Sequence, residues 1–258
     1  MHQIIHQSQR TERRARMDSN ILTEQLRSLK LQGMAEAVGD MLLLPSHLRP
    51  SLEAAVSKMI ETEIAARDES RTARLLKAAK LRIKALLEDV TCSTARNLTR
   101  EQLGAVADCG FIRRGENLLI TGLTGTGKTF FACAIGHQAC TLGLKTLYLS
   151  MNHFIDQLKQ ARLDGTFESL LAKLNKNDVI ILDDFGLHTM DGNTRIGLLT
   201  LLEDRYERKS VIITSQLPLD KWYEYIAEAT LADAIMDRLI NSSHHIALDG
   251  PSLRQRRK

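Results

Sequence analysis

Residues 118–129 read LLITGLTGTGKT. An apolar run leads into Gly122, and Gly125, Gly127, Lys128 and Thr129 follow with the G-x-x-x-x-G-K-[ST] spacing of a phosphate-binding loop. The chemistry accounts for that spacing. Glycines let successive backbone N–H groups turn inward around phosphate oxygens. Lys128 reaches toward the β- and γ-phosphates, and the Thr129 hydroxyl is placed to ligate Mg²⁺. A helix starting near Gly127 turns its positive dipole end on the same anion. The run Gly122, Leu123, Thr124, Gly125, Thr126, Gly127, Lys128 and Thr129 is therefore expected to hold ATP or GTP with Mg²⁺.

Outward from this loop the pattern alternates between strand and helix. Strands are expected at 117–121, 145–150, 178–183, 210–215 and 244–249, and helices at 128–142, 151–163, 166–175, 194–208 and 230–241. That order implies an α/β fold, a parallel five-stranded sheet with helices on both faces. Upstream, apolar residues recur at a helical period on either side of Gly33, which reads as the end of a first helix after Lys30. A second helix from Met34 should stop before Pro45, and a third pattern begins near Ser51. The expected organisation is a flexible basic leader at 1–20, with Met17 a second candidate start, and an α-helical N-terminal domain at 21–88. A linker at 89–98 and a nucleotide-binding domain at 99–258 follow, the latter opened by the capping box Thr99-x-x-Gln102. Few residues follow the last strand, so little or no lid domain is expected.

Residues 179–184, VIILDD, form a buried-strand run ending in two acids about 50 residues after the loop. Asp183 has the position of a carboxylate that holds Mg²⁺ through its water shell, and Asp184 that of the group orienting the attacking water. Adjacent carboxylates repel each other, and a nearby Mg²⁺ offsets the repulsion. The second acid argues for hydrolysis of the nucleotide. Thr214, Ser215 and Gln216 end a further strand and are candidates to face the γ-phosphate. Arg238 reads either as an arginine finger reaching a neighbouring subunit's γ-phosphate or as a surface pair with Asp237. Arg254 is a candidate second phosphate contact. Arg205, between Glu203 and Glu207, reads as surface charge pairing on a helix.

The net charge of +4 is unevenly placed: residues 1–100 carry 17 Lys/Arg against 12 Asp/Glu, and 101–250 carry 14 against 19. A basic front and tail around an acidic middle suggest a polyanion partner. On a helix over 70–87, Leu75, Leu76, Ala79, Ile83, Leu86 and Leu87 fall on one face. Arg71, Arg74, Lys77, Lys80, Arg82 and Lys84 then fill the remaining arc without an acid, an array suited to a phosphate backbone. Cys92, Cys109, Cys133 and Cys140 fit no metal spacing, which points to idle thiols in a reducing compartment. No apolar run approaches a membrane span and no signal peptide opens the chain, so a cytoplasmic protein without a membrane partner is expected.

Taken together, SLKLQGMAEAV (28–38), GLTGTGKT (122–129), ILDDFGL (181–187), ITSQLPLDKWYE (213–224) and LADAIMDRL (231–239) resemble the IstB-like ATPases, helper proteins encoded beside the IstA transposase in bacterial insertion sequences. The resemblance runs from about Ile21 to Arg257. It implies an AAA+ fold, related to the DnaC-type helicase loaders, with ATP as nucleotide. Lys128 and Thr129 would be Walker A, Asp183 and Asp184 Walker B, Arg238 the arginine finger and Arg254 a sensor-2-like residue, while Ser215 and Gln216 compete for sensor 1. It further implies ATP-dependent homo-oligomerisation on double-stranded DNA with little sequence preference, and recruitment of the transposase. Lys159, Arg162, Lys173 and Lys176 would belong to a DNA-facing insertion. Leu123 stands where many relatives have Pro, and Asp184 where AAA+ proteins commonly have Glu. The alternatives are a DnaC-type helicase loader, and a nucleotide-gated DNA clamp that barely hydrolyses ATP.

Overall fold

The computed structural model describes residues 20–253. The leader expected at 1–20, apart from Asn20, and Arg254 lie outside them. The chain divides into two compact units, with the division at Ala73/Arg74.

The first unit is helical: α1 (20–28), α2 (Gln32–Leu43) and the first part of α3 (Leu52–Ala79). The chain leaves α1 through Lys30, at φ +62°, so Lys30 and not Gly33 takes the left-handed position at the helix end. Gly33 lies inside α2, and its bare Cα serves a close approach. A Cβ there would stand 2.3 Å from the carbonyl oxygen of Thr62 on α3. That approach brings buried Glu63 to the start of α2, where Oε2 accepts the N–H groups of Gly33 (2.9 Å) and Met34 (3.2 Å). A carboxylate on the unpaired N–H groups of a helix start is stabilising, and Leu31 at that start offers no side-chain cap of its own. Arg67 binds Oε1 at 2.7 Å and is the main cause holding the Glu63 carboxyl below its ordinary range.

The second unit is built on five parallel strands: β1 (Asn117–Gly122), β2 (Thr146–Ser150), β3 (Val179–Phe185), β4 (Ser210–Ser215) and β5 (Ser243–Leu248), in the order β2-β3-β4-β1-β5. Side-chain parity assigns the two faces of the sheet. Leu118, Ile120, Val179, Ile181 and Ile212 pack with Phe131, Ile135, Phe111 and Leu98. Leu119, Ile180, Leu182, Val211 and Ile213 pack with Phe154, Leu158, Leu201 and Ile235. The first face is covered by α4 (Arg100–Ala107), α5 (Gly110–Arg113) and α6 (Lys128–Thr141). The second is covered by α7 (Met151–Leu163), α8 (Phe167–Leu174), α9 (Gly192–Arg205), α10 (Trp222–Ile226) and α11 (Ala229–Ile240). The expected parallel sheet is thus present, strand for strand, and Thr99 and Gln102 form the capping box at α4.

Further expectations are corrected. The helix expected to reach Leu87 stops at Ala79, and Lys80 turns left-handed at φ +53°. The stretch LRIKALL (81–87) also alternates with period two, and the chain follows that period. Ala85 is buried, Leu81, Ile83 and Leu87 pack against the same core, and Leu86 is exposed. Lys80, Arg82 and Lys84 therefore leave the basic helical array, while Arg71, Arg74 and Lys77 remain exposed on α3. Residues 81–98 are consequently part of the nucleotide-binding unit, with Leu98 fully buried.

Arg205 is not a surface residue. It is buried, and its guanidinium donates to the carbonyls of Asn177 (3.1 Å), Asp178 (3.0 Å) and Ser210 (2.7 Å), tying the end of α9 to the starts of β3 and β4. Burial pulls its pKa down to about 10. The surrounding run EDRYERK disguised it as one charge among many.

Gly33→Ala should destabilise the helical unit by about 1–3 kcal/mol, the usual cost of forcing an atom into a filled contact. Chemical denaturation followed by helix signal checks this, and an unchanged midpoint would remove the close-approach role.

Candidate functional site

The strand order places the loop after β1 between the ends of β4 and β5, on the carboxyl edge of the sheet where open α/β folds bind ligands. Gly127, at φ +93°, is the residue from which α6 springs, a conformation that costs glycine little. The loop is braced from several sides. Thr126 Oγ1 and Lys128 Nζ both donate to Leu123 O (2.8 and 2.9 Å), Arg96 Nη2 donates to Thr126 O (2.5 Å), and Leu253 N donates to Gly125 O (2.9 Å). Leu123 is itself exposed.

Beside the loop lies a cavity of roughly 380 Å³. Its lining is mixed: Thr124, Lys128, Thr129, Asp184, Gln216, Asp89, Thr91 and Arg96 are polar, and Ile83, Val90, Leu98, Phe130 and Leu253 are apolar. A mixed lining beside the phosphate loop suits a molecule with a phosphate end and a flat apolar end. The residues read from sequence as a linker, 89–98, supply much of the apolar wall. The loop's neighbours in sequence gave no hint of this, because the contact depends on the extended course of residues 81–98.

The two acids sit at an irregularity in β3. Its register with β4 shifts between Leu182 and Phe185, and Asp184 adopts φ +63°, a left-handed position that Asp tolerates better than most side chains. Asp183 thereby keeps the parity of Val179 and Ile181 and faces α6. It is fully buried and accepts hydrogen bonds from Thr129 Oγ1 (2.9 and 3.1 Å), Tyr148 Oη (2.5 Å) and Thr214 Oγ1. Burial, followed by the bond to Asp183, raises the Tyr148 phenol above its ordinary range. Asp184 points toward the cavity with its side chain about one quarter exposed. Thr129 Oγ1 and the Asp183 carboxylate are hard oxygens of the kind Mg²⁺ takes, one or two from protein and the remainder from phosphates and water. Among the described residues no group of three or more His, Cys, Asp or Glu could hold a metal by itself. The donor set fits a nucleotide-borne Mg²⁺.

Of the two sensor-1 candidates, Ser215 is turned away. It shares the parity of Val211 and Ile213, is fully buried, donates to Phe185 O (2.7 Å) and accepts from Leu217 N (3.0 Å). Gln216 lines the cavity and accepts from Thr124 Oγ1 at 2.8 Å, so the polar group facing the phosphate loop is Gln216. Parity along β4 was available in the sequence and distinguishes the two. Phe185, Trp222 and Tyr225 form an aromatic cluster behind the acids, with ring centroids 4.6 and 5.1 Å apart. This cluster gives SQLPLDKWYE a physical role: it anchors the strand end that carries Asp184.

Arg238 lies elsewhere. Its carbonyl accepts from the Asn117 side chain (3.0 Å) at the first residue of β1, whereas the phosphate loop follows the last. At ~3.3 Å per residue that is roughly 16 Å of strand. Its guanidinium pairs with Glu203 on α9 (2.9 Å), not with Asp237. Lys159, Arg162, Lys173 and Lys176 are exposed on and just after α7 and α8. Lys159 lies 3.9 Å from Asp191, and Arg162 stacks over Phe167 at 3.6 Å. Cys109, Cys133 and Cys140 are buried thiols whose pKa burial raises, Cys109 to about 12. No described helix is long and apolar enough to cross a membrane.

A braced phosphate loop and an acid pair on β3, set in a sheet of order β2-β3-β4-β1-β5, define a P-loop protein of the AAA+ class. The family of IstB-like ATP binding proteins matches residues 24–258, and this chain belongs to it. An insertion sequence ATP-binding protein of Sinorhizobium fredii is 39% identical over 237 residues, 91% of this chain and 97% of that one. The fold is similar to a crystal structure of DnaI (TM-score 0.56, 20% identity, 68% of this chain and 93% of that one). It is also similar to the DnaC helicase loader (TM-score 0.51, 20% identity, 64% and 97%).

Gln216→Ala should leave nucleotide affinity within about twofold and lower turnover 10-fold or more, as for a lost transition-state contact. Ser215→Ala should act mainly on stability. The reverse pattern in a paired binding and turnover assay would point to Ser215 instead.

Proposed function

We propose that this chain is a DNA-binding helper ATPase of transposition. With ATP bound it assembles into a homo-oligomer on double-stranded DNA with little sequence preference, and the loaded assembly recruits and stimulates an IstA-type transposase. The observation that carries this reading is the position of Arg238. A site with its own phosphate loop, hydroxyl, acid pair and Gln216 has its candidate finger at the far edge of the same chain. A neighbouring copy would therefore complete it. The exposed pair with Glu203 is worth about 0–1 kcal/mol and is readily exchanged for a phosphate.

In this reading Lys128 and the N–H groups at the start of α6 bind the phosphates, and Thr129 and Asp183 hold Mg²⁺. Asp184 and Gln216 orient the attacking water, and Arg238 of the next subunit stabilises the departing charge. Held by Thr129 and Asp183, Mg²⁺ would supply positive charge that offsets the phosphates. The sensor-2 role of Arg254 is part of the same proposal. Arg71, Arg74, Lys77, Lys159, Arg162, Lys173 and Lys176 are exposed cations whose charge attracts phosphate backbones, with Lys80 and Lys84 outside the helical array. Membership in a family whose relatives are named for insertion sequences supports transposition over helicase loading, and the DnaC likeness speaks for the fold alone.

Arg238→Ala should bind ATP as the wild type does and lose turnover at least 100-fold. Mixing it with Lys128→Ala should restore part of the turnover, because hybrid junctions pair an intact loop with an intact finger. Full turnover by Arg238→Ala alone would contradict the reading. Neutralising Arg71, Arg74 and Lys77 together should flatten the log–log salt dependence of DNA binding by about 2 to 3 units, and an unchanged slope would remove these residues from the interface.

A further inference from the structure

Arg82 occupies a position that its sequence context did not suggest. Its Nη1 stands 3.4 Å from Asp183 Oδ2 and 3.3 Å from Asp184 Oδ2, so one nitrogen is shared by both acids. Charge-assisted bonds to carboxylates are ordinarily about 2.7–2.9 Å long, and the contact is correspondingly loose. The buried carboxylate does not depend on it for partners, since Thr129, Thr214 and Tyr148 already donate hydroxyls to Asp183. The backbone beneath Arg82 is fixed, with Ala85 buried and Leu81 and Ile83 packed into the core. The Arg82 guanidinium also bonds the Tyr148 hydroxyl, the main cause raising its pKa, yet its side chain is 54% exposed, an arm on a firm base.

Two adjacent carboxylates need a cation between them. Arg82 supplies one, and of the two acids it touches Asp183 is the carboxylate placed beside Thr129 to hold Mg²⁺. We propose that Arg82 is a positioning residue that stands in for the metal: it holds Asp183 and Asp184 until Mg²⁺ arrives with the nucleotide, and the two cations compete for Asp183. This rests on the ATP reading of the site. The consequence is that metal-free nucleotide and metal-bound nucleotide meet different sites. The first leaves Arg82 on the acids; the second displaces it and frees Asp184 to orient water.

The test is a Mg²⁺ titration against a fixed concentration of fluorescent ADP, for the full-length wild type, Arg82→Gln and Arg82→Lys, with affinity in excess chelator measured first. In Arg82→Gln the Mg²⁺ concentration at half effect should fall roughly fivefold, the size of a partly exposed ion pair. Metal-free affinity should stay within about twofold, and Arg82→Lys should lie between Arg82→Gln and the wild type. A midpoint in Arg82→Gln that is unchanged or raised overturns the inference, as does a loss of metal-free affinity, which would place Arg82 on the phosphates. A wild type that binds no nucleotide overturns the ATP reading, and this inference with it.

Discussion

The site depends on one buried carboxylate. Asp183 receives Thr129 from α6, Thr214 from β4, Tyr148 from β2 and Arg82 from the segment before α4. Moving a carboxylate out of water costs several kcal/mol, and each hydroxyl donated to the charge returns about 1.5–3 kcal/mol. Three such donors are of the size needed, and Arg82, 3.4 Å away and 54% exposed, is the most solvated of the four partners. Because the donors come from separate elements, the carboxylate also fixes the distance between the phosphate loop and the strand that carries Asp184. The irregularity in β3 follows from this. Asp183 must keep the parity that faces α6 while Asp184 turns to the cavity, and two successive residues achieve that only where the strand breaks register.

How much of this was legible varies with the physics of each segment. The strands of the sheet alternate or run apolar between glycine-rich and polar turns, and their limits were readable to within about two residues. The phosphate loop was legible because its chemistry fixes residue type at fixed spacing. LRIKALL was ambiguous because periods of 3.6 and 2 both fit seven residues, and only the packing of Leu81, Ile83 and Ala85 decides. Arg205 was hidden by its charged neighbours, since burial of one cation in a polar run leaves no periodic trace. Gly33 was legible as a special position but not in kind: glycine serves a helix end and a helix contact equally well, and Thr62, which decides the matter, is far away in sequence. Ser215 and Gln216 were separable by strand parity alone.

The stretches that resemble the IstB-like proteins also acquire physical reasons. SLKLQGMAEAV contains the left-handed Lys30 and the glycine that admits Thr62 and Glu63. SQLPLDKWYE brings Gln216 to the loop and Trp222 against Phe185. The two stretches serve different needs, the build of the helical unit and the rigidity of the acid pair. The P-loop alone defines only a nucleotide site.

In the proposed function the nucleotide at this loop governs assembly on DNA. Sedimentation velocity of the wild-type protein with a short duplex tests it directly, comparing a non-hydrolysable ATP analogue, ADP and no nucleotide, each with Mg²⁺. A multi-subunit complex is expected on the duplex with the ATP analogue, and none with ADP or without nucleotide. Equal assembly in all three samples would contradict it.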